Sequence, residues 1–228
     1  MSLLLRLPVA ALVLAATGAA HEPITTKLTW TRDISRIFYK RCVTCHREGG
    51  KAPMAFLIYE EVRPWATAIK EEVLERRMPP WGAVKGFGEF RDDASLTLEE
   101  LSRIADWAEG GAPKGDDIYL PPPPKIRPRP LTTPRGDSIA LAGSLTLDRD
   151  VIIRGIRPGM LAKGASVRVT AQLPDGVVEP MLWLRNYDPR WRLTYAYRAP
   201  LRLPKGTRVQ AVPAARFSII AESGAAAP

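Results

Sequence analysis

Cysteine and histidine are nearly absent: 228 residues hold two of each. A four-ligand zinc site would need all four, including His21 at a distant chain end. A disulfide scaffold is excluded as well, because Cys42 and Cys45 stand three positions apart and would staple almost nothing. Long apolar runs are also scarce. Leu7 to Ala16 form one, but it falls short of the roughly 18–20 apolar residues that a membrane span needs. Disorder throughout is excluded by an ordinary balance of 46% apolar and 25% charged residues.

The opening run reads as a secretory signal over residues 1–20. Arg6 gives a basic start, and Gly18 and Ala20 supply small residues at the −3 and −1 sites, predicting cleavage before His21. No cysteine lies at the cut, which argues against a lipoprotein. The mature chain is expected to be exported and periplasmic. Its net charge of +9 is unevenly spread. Residues 21–115 carry 15 Lys/Arg against 15 Asp/Glu, whereas from Asp116 onward there are 17 against nine. This asymmetry predicts an acidic redox partner or an anionic membrane surface, and nucleic acid is a poor partner for an exported chain.

The pattern changes part-way along. Ile34, Ile37 and Phe38 share one helical face within 31–41, with Thr31 placed to cap it. Val62, Trp65, Ala66, Ile69 and Val73 repeat the helical period over 60–77, with Pro64 in the first turn. Thr97 and Glu100 make a capping box for a helix over 97–109, with Leu98, Leu101, Ala105 and Ala108 on one face and Gly110-Gly111 as the stop. The 22 prolines then cluster in LPPPPKIRPRPL, an extended spacer. After it come short alternating or apolar runs of β type, two of them joined by the Pro174-Asp175-Gly176 turn. The expected fold is α + β with two domains: an all-α domain at 21–116, a linker at 117–134, a small antiparallel β-sandwich at 135–222 and a frayed tail at 223–228.

Both cysteines and one histidine fall in a single pentapeptide, Cys42-Val43-Thr44-Cys45-His46. C-x-x-C-H is the attachment pattern for c-type haem. Two thiols three residues apart at a helix end can reach the two vinyl groups of one porphyrin, and the next histidine then sits under the iron. A thioredoxin-like pair would follow a strand in a βαβ unit, and here an amphipathic helix precedes it. One covalent haem c is therefore expected, held by Cys42 and Cys45, with His46 as the proximal iron ligand.

The sixth ligand has four methionine candidates: Met54, Met78, Met160 and Met181. Met78 heads Met78-Pro79-Pro80-Trp81 directly after the middle helix, where two prolines stiffen the loop, and it is the expected distal ligand. Met54 is the competitor, expected to pack on the porphyrin. Trp81 is a candidate donor to a haem propionate, or else core. Trp107 and Leu101 are expected to pack helices together. The order of helix, C-x-x-C-H, helix, methionine loop and helix over residues 31–112 resembles class I cytochromes c.

The stretches DISRIFYKRCVTCHREGGKAPM, YEEVRPWATAIKEEVLERRMPPW and LTLEELSRIADWAEGGAPKGD are similar to haem-binding domains fused ahead of β-sandwich modules. Those modules are like the ones of copper type II, ascorbate-dependent monooxygenases. Arg157 to Gly164, LPDG and YDPRWRLTY…PLRLPKGTRV resemble that module too. Where the family has two copper-binding histidines, this chain has Gly159 and Leu161. Copper oxygenase chemistry rests on imidazole ligands, so the resemblance carries over the haem site and the fold without the oxygenase activity. The expected function is one-electron transfer by an exported His/Met-ligated cytochrome, with a basic sandwich for docking and no catalytic residues. Two alternatives stand beside it: an electron-transfer subunit of, or a residual, monooxygenase or peroxidase-type enzyme, and a haem-based sensor or assembly module. An open sixth position on the iron favours either alternative.

Overall fold

The computed structural model describes residues 26–126, 131–191 and 193–223. The expected signal segment, His21 and the tail beyond Ser223 lie outside these residues. Among the described residues no helix is long and apolar enough to cross a membrane.

The chain enters through a π-helical turn, Trp30–Ile34, that runs into helix α1, Ser35–Arg41. The cap is Thr29, whose hydroxyl accepts the Arg32 N–H, and not Thr31, which is buried. The helix expected over 60–77 is broken into α2, Tyr59–Val62, a 3-10 turn, Arg63–Trp65, and α3, Ala66–Leu74. Pro64 sits in the 3-10 turn, where its lack of an N–H is tolerated. Helix α4, Leu98–Glu109, has the expected capping box: Thr97 Oγ1 accepts from Glu100 N–H at 3.0 Å, and the Glu100 carboxylate accepts from Thr97 N–H at 2.8 Å. Its buried face is Leu101, Ile104 and Trp107; Leu98, in the first turn, points to solvent. Trp30 and Trp107 meet at 6.3 Å, and with Ile34, Phe38, Ile69 and Ile104 they form the helical core.

Eight strands follow: β1 Asp137–Ala142, β2 Ser144–Thr146, β3 Val151–Pro158, β4 Val167–Gln172, β5 Val178–Leu184, β6 Tyr195–Leu203, β7 Arg208–Val212 and β8 Arg216–Ala221. Every pairing is antiparallel. The order β5-β4-β7-β2-β1-β8-β3-β6 is one hydrogen-bonded array bent at Gly143. There φ is +78°, a conformation that glycine adopts without strain, so one strand leaves the β8 layer and enters the β7 layer. The two layers share a core that includes Ile153, Ile156, Val169, Leu182, Leu184 and Ile219. Gly176 at φ +90° closes the β4–β5 turn, as Pro174-Asp175-Gly176 implied. The molecule is thus mixed α + β, with short helices and antiparallel sheet.

An all-helical first half is not what forms. Between Met78 and Leu96 the chain leaves the helical core and joins the sheet. Trp81, Ala83 and Phe90 are buried in the β core. Ala83 bridges Leu184 on β5, and Phe90 bridges Tyr197 on β6. Val84 N–H donates to the Trp183 carbonyl at 2.8 Å, and Arg91 N–H to the Ala196 carbonyl at 2.8 Å. Strands β5 and β6 are the two ends of the array, so this segment pairs with both open edges of the sandwich. Leu96 then returns to the helical core. The boundary expected at 117–134 therefore does not separate two self-contained cores.

Candidate cofactor site

Helix α1 ends where Cys42 N–H donates to the Phe38 carbonyl at 2.8 Å. The turn that follows brings Cys45 N–H and His46 N–H onto the Cys42 carbonyl, at 3.0 and 2.9 Å. Cys42, Cys45 and His46 thereby face one cavity of about 560 Å³. Its lining comes from three stretches of the chain. They include Phe38 of α1 and Phe56, then Trp65, Ile69 and Val73 of the 3-10 turn and α3, and Met78, Pro79 and Pro80 of the loop after α3. A cavity of this size with mostly apolar walls suits a cofactor-sized ligand.

His46 is prepared as a ligand. Its Nδ1 lies 3.2 Å from the Met54 carbonyl, which can only accept, so Nδ1 carries the proton and Nε2 keeps a free lone pair. Burial pushes its pKa below the ordinary imidazole value, partly opposed by that hydrogen bond, which favours the neutral ring a metal needs. The ring stacks on Phe56 at 4.3 Å. The two thiols are free, and burial pushes the Cys42 thiol up to about 12.

Arg41, the residue before Cys42, is tied to α4. Its guanidinium meets Glu100 at 3.0 Å, and both side chains are largely buried. Burial alone would raise the Glu100 pKa. The hydrogen bonds from Arg41 and from Thr97 N–H outweigh it and hold the carboxyl below the usual range. One carboxylate thus caps α4 and fixes the end of α1. The capping pattern revealed only the first of these jobs.

The structure sorts the four methionines. Met181 is fully buried in the β core and Met160 is fully exposed. Met54 and Met78 line the cavity with His46. Met54 offers its carbonyl behind the imidazole, on the side away from Nε2. Met78 lines the same cavity from the loop that follows α3 and is exposed. Trp81 is no part of the cavity wall: its indole packs edge-on against Tyr195 at 5.0 Å in the β core, which corrects its candidacy as a cofactor contact. Trp107 and Leu101 lie in the helical core, as their spacing implied. Sequence patterning missed Phe56, Lys51 and Glu72 in the lining, because none belongs to a motif, and it read Trp65 only as part of a helical face.

Among the described residues no group of three or more His, Cys, Asp or Glu is placed to hold a bare metal ion. The donor set fits a metal delivered inside an organic ligand: one imidazole, the thioethers of Met54 and Met78, and two thiols for anchoring, around an apolar chamber. No family model, curated protein or solved structure matches the chain.

Proposed function

We propose that this protein is an exported, periplasmic c-type cytochrome that carries single electrons on one covalent haem. The observation that carries the reading is the shared cavity, into which Cys42, Cys45, a tautomer-fixed His46 and Met78 all open. Cys42 and Cys45 would hold the haem through thioethers, His46 through Nε2, and Met78 through sulfur from the loop after α3. Such a haem supplies a one-electron couple at raised potential with no open coordination position. The protein's part is to exclude water with Phe38, Phe56 and Ile69, to keep His46 neutral through the Met54 carbonyl, and to present Met78. The element order still resembles class I cytochromes c, with the Met78–Leu96 stretch diverted into the sheet. The β half is read as a degenerate copy of the monooxygenase module, because Gly159 and Leu161 stand where copper-binding histidines would be.

The deciding experiment is the absorption spectrum of mature protein made with c-type haem maturation machinery, beside Met78→Ala. Wild type is expected to show covalent haem and a methionine–iron charge-transfer band, and Met78→Ala to lose the band and bind carbon monoxide when reduced. Covalent haem without the band in wild type, with ready carbon monoxide binding, would move the reading to catalysis or sensing. Absence of covalent haem would falsify it.

Docking on an acidic redox partner is part of the proposal, and one patch fits it best. Arg168 and Arg185 both lie over the Trp183 ring, at 5.9 and 6.0 Å. Arg76 is close enough to Arg185 that the two charges oppose each other. Among the described residues no carboxylate pairs with any of the three side chains. The patch adjoins the Met78 loop, since Arg185 N–H donates to the Gly82 carbonyl. A second basic groove, with Arg91, Arg135 and Arg154, lies on the β3–β6 side. Reduced protein is expected to lose electrons to ferricyanide more slowly when Arg168 and Arg185 become Glu, and the rate should lose most of its salt dependence. An unchanged rate, or an equal effect from Arg135→Glu with Arg154→Glu, removes this patch from the proposal. Binding to anionic vesicles and indifference to acidic partners would assign the charge to a membrane surface instead.

A further inference from the structure

The stretch that follows Met78 is bound to the β-sandwich far more than to the helices. Trp81 is 4% exposed and packs against both Tyr195 and Phe90. The Tyr195 hydroxyl donates to the Trp81 carbonyl. Next, the Gly82 carbonyl accepts Arg185 N–H at 2.9 Å, and Val84 N–H donates to Trp183 at 2.8 Å. Gly82 itself, at φ +73°, leaves no room for a Cβ, which would stand 2.6 Å from the Trp191 ring. On the other side of Met78, Asn186 Nδ2 donates to the Glu75 carbonyl at 3.1 Å. Residues of the sandwich therefore grip the chain three positions before and three positions after Met78. Within the helical half, the tethers end at Met78 itself: Arg77 N–H and Met78 N–H donate to the Glu72 carbonyl at 2.9 and 3.1 Å, and Arg77 Nε to the Glu72 carboxylate at 3.0 Å.

We infer that the β-sandwich is a clamp on the distal ligand loop, with Tyr195 and Asn186 as positioning residues that hold Met78 against the iron. This rests on the cytochrome reading and gives the β half a task inside the cofactor site. A methionine thioether is a weak, neutral ligand, and its hold on iron depends on how little freedom the loop has to leave. A loop fastened at both ends has already lost that freedom before the bond forms. If a fastening is removed, the ligand-off state becomes easier to populate, and an added ligand competes better for the iron.

The test is a titration of the oxidised, haem-loaded full chain with imidazole, following loss of the methionine–iron band. Tyr195→Phe keeps the ring and its packing and deletes one hydroxyl. Its apparent affinity for imidazole is expected to rise about threefold to tenfold, the value of one hydrogen bond of ordinary strength. Tyr197→Phe is the matched control. Its hydroxyl is equally buried and also donates to a backbone carbonyl, that of Met181 at 3.0 Å, which lies inside the sandwich. This control should leave the affinity as in wild type. Asn186→Ala, at a half-buried position, tests the other fastening and does not depend on Tyr195→Phe folding well. In a Met78→Ala background, where imidazole binding is followed by the shift of the main haem absorption band, Tyr195→Phe should change nothing, because the effect travels through Met78.

Equal imidazole affinity in wild type, Tyr195→Phe and Asn186→Ala overturns the clamp and leaves the cytochrome intact. So does an equal rise in Tyr197→Phe, which marks a general loosening of the sandwich. Wild type without the methionine band is a different failure, already visible before any titration, and takes the ligand assignment and the clamp down together.

Discussion

Replacing Cys42 and Cys45 together by alanine is expected to abolish covalent haem completely. On a denaturing gel the wild-type chain should carry haem-linked peroxidase stain and the double variant none. The choice of alanine follows from the site. Cys42 is enclosed among Phe38, Phe56 and the α3 side chains, and a serine hydroxyl there would be buried without a partner, at a cost of roughly 1–3 kcal/mol. Alanine forfeits only packing, so loss of haem is not confused with loss of fold. Each single variant keeps one thioether and should hold haem with an altered spectrum. Cys42 and Cys45 are the chain's only thiols, and both open into the cavity. Haem that stays covalently attached in the double variant would contradict the whole assignment. A wild-type chain that instead purifies with these two cysteines joined would favour a redox pair.

The pentapeptide was legible because its chemistry is local. Five consecutive residues name the ligand class, and α1 delivers them to the cavity without help from distant parts of the chain. The α4 capping box was legible for the same reason, as Thr97 and Glu100 satisfy one another within a turn. Six runs that alternate or are continuously apolar, covering β1 to β7, could be read as β segments from the sequence. What could not be read was long range. Arg216–Ala221 is β8, paired with both β1 and β3 in the centre of its layer, yet its run of buried residues has no clean alternation to announce it. Trp81 sits three residues from Met78, which made a cofactor contact look natural. Its burial against Tyr195, 114 positions away, is a property of the fold and leaves no trace in the neighbouring sequence. Similarly, residues 83–91 look like a loop with three glycines nearby, at 82, 86 and 88, and are in fact what covers the sandwich edges.

That covering segment makes the two halves depend on one another, and Phe90→Ala is expected to expose the dependence. Phe90 is 3% exposed and stacks on Tyr197 at 5.2 Å while touching Tyr195 at 5.4 Å. Removing a buried phenylalanine ring costs about 3–5 kcal/mol, from lost transfer energy and the cavity left behind. Domains of ordinary stability have only about 5–15 kcal/mol to lose. The guanidinium midpoint should therefore drop sharply. The informative part is which signals move with it. The ring lies in the sandwich core, but the chain that carries it also carries Met78 and re-enters the helical core at Leu96. Loss of sheet signal and loss of the methionine–iron band should coincide in one transition, shifted to lower denaturant by the same amount. Phe87→Ala serves as the comparison, since Phe87 is only half-buried and meets Trp183 at the surface; it should shift the midpoint far less. If Phe90→Ala unfolds the sheet at lower denaturant while the methionine band survives to the wild-type midpoint, the halves are separately stable. The segment between Met78 and Leu96 would then be a tether and no part of a common core.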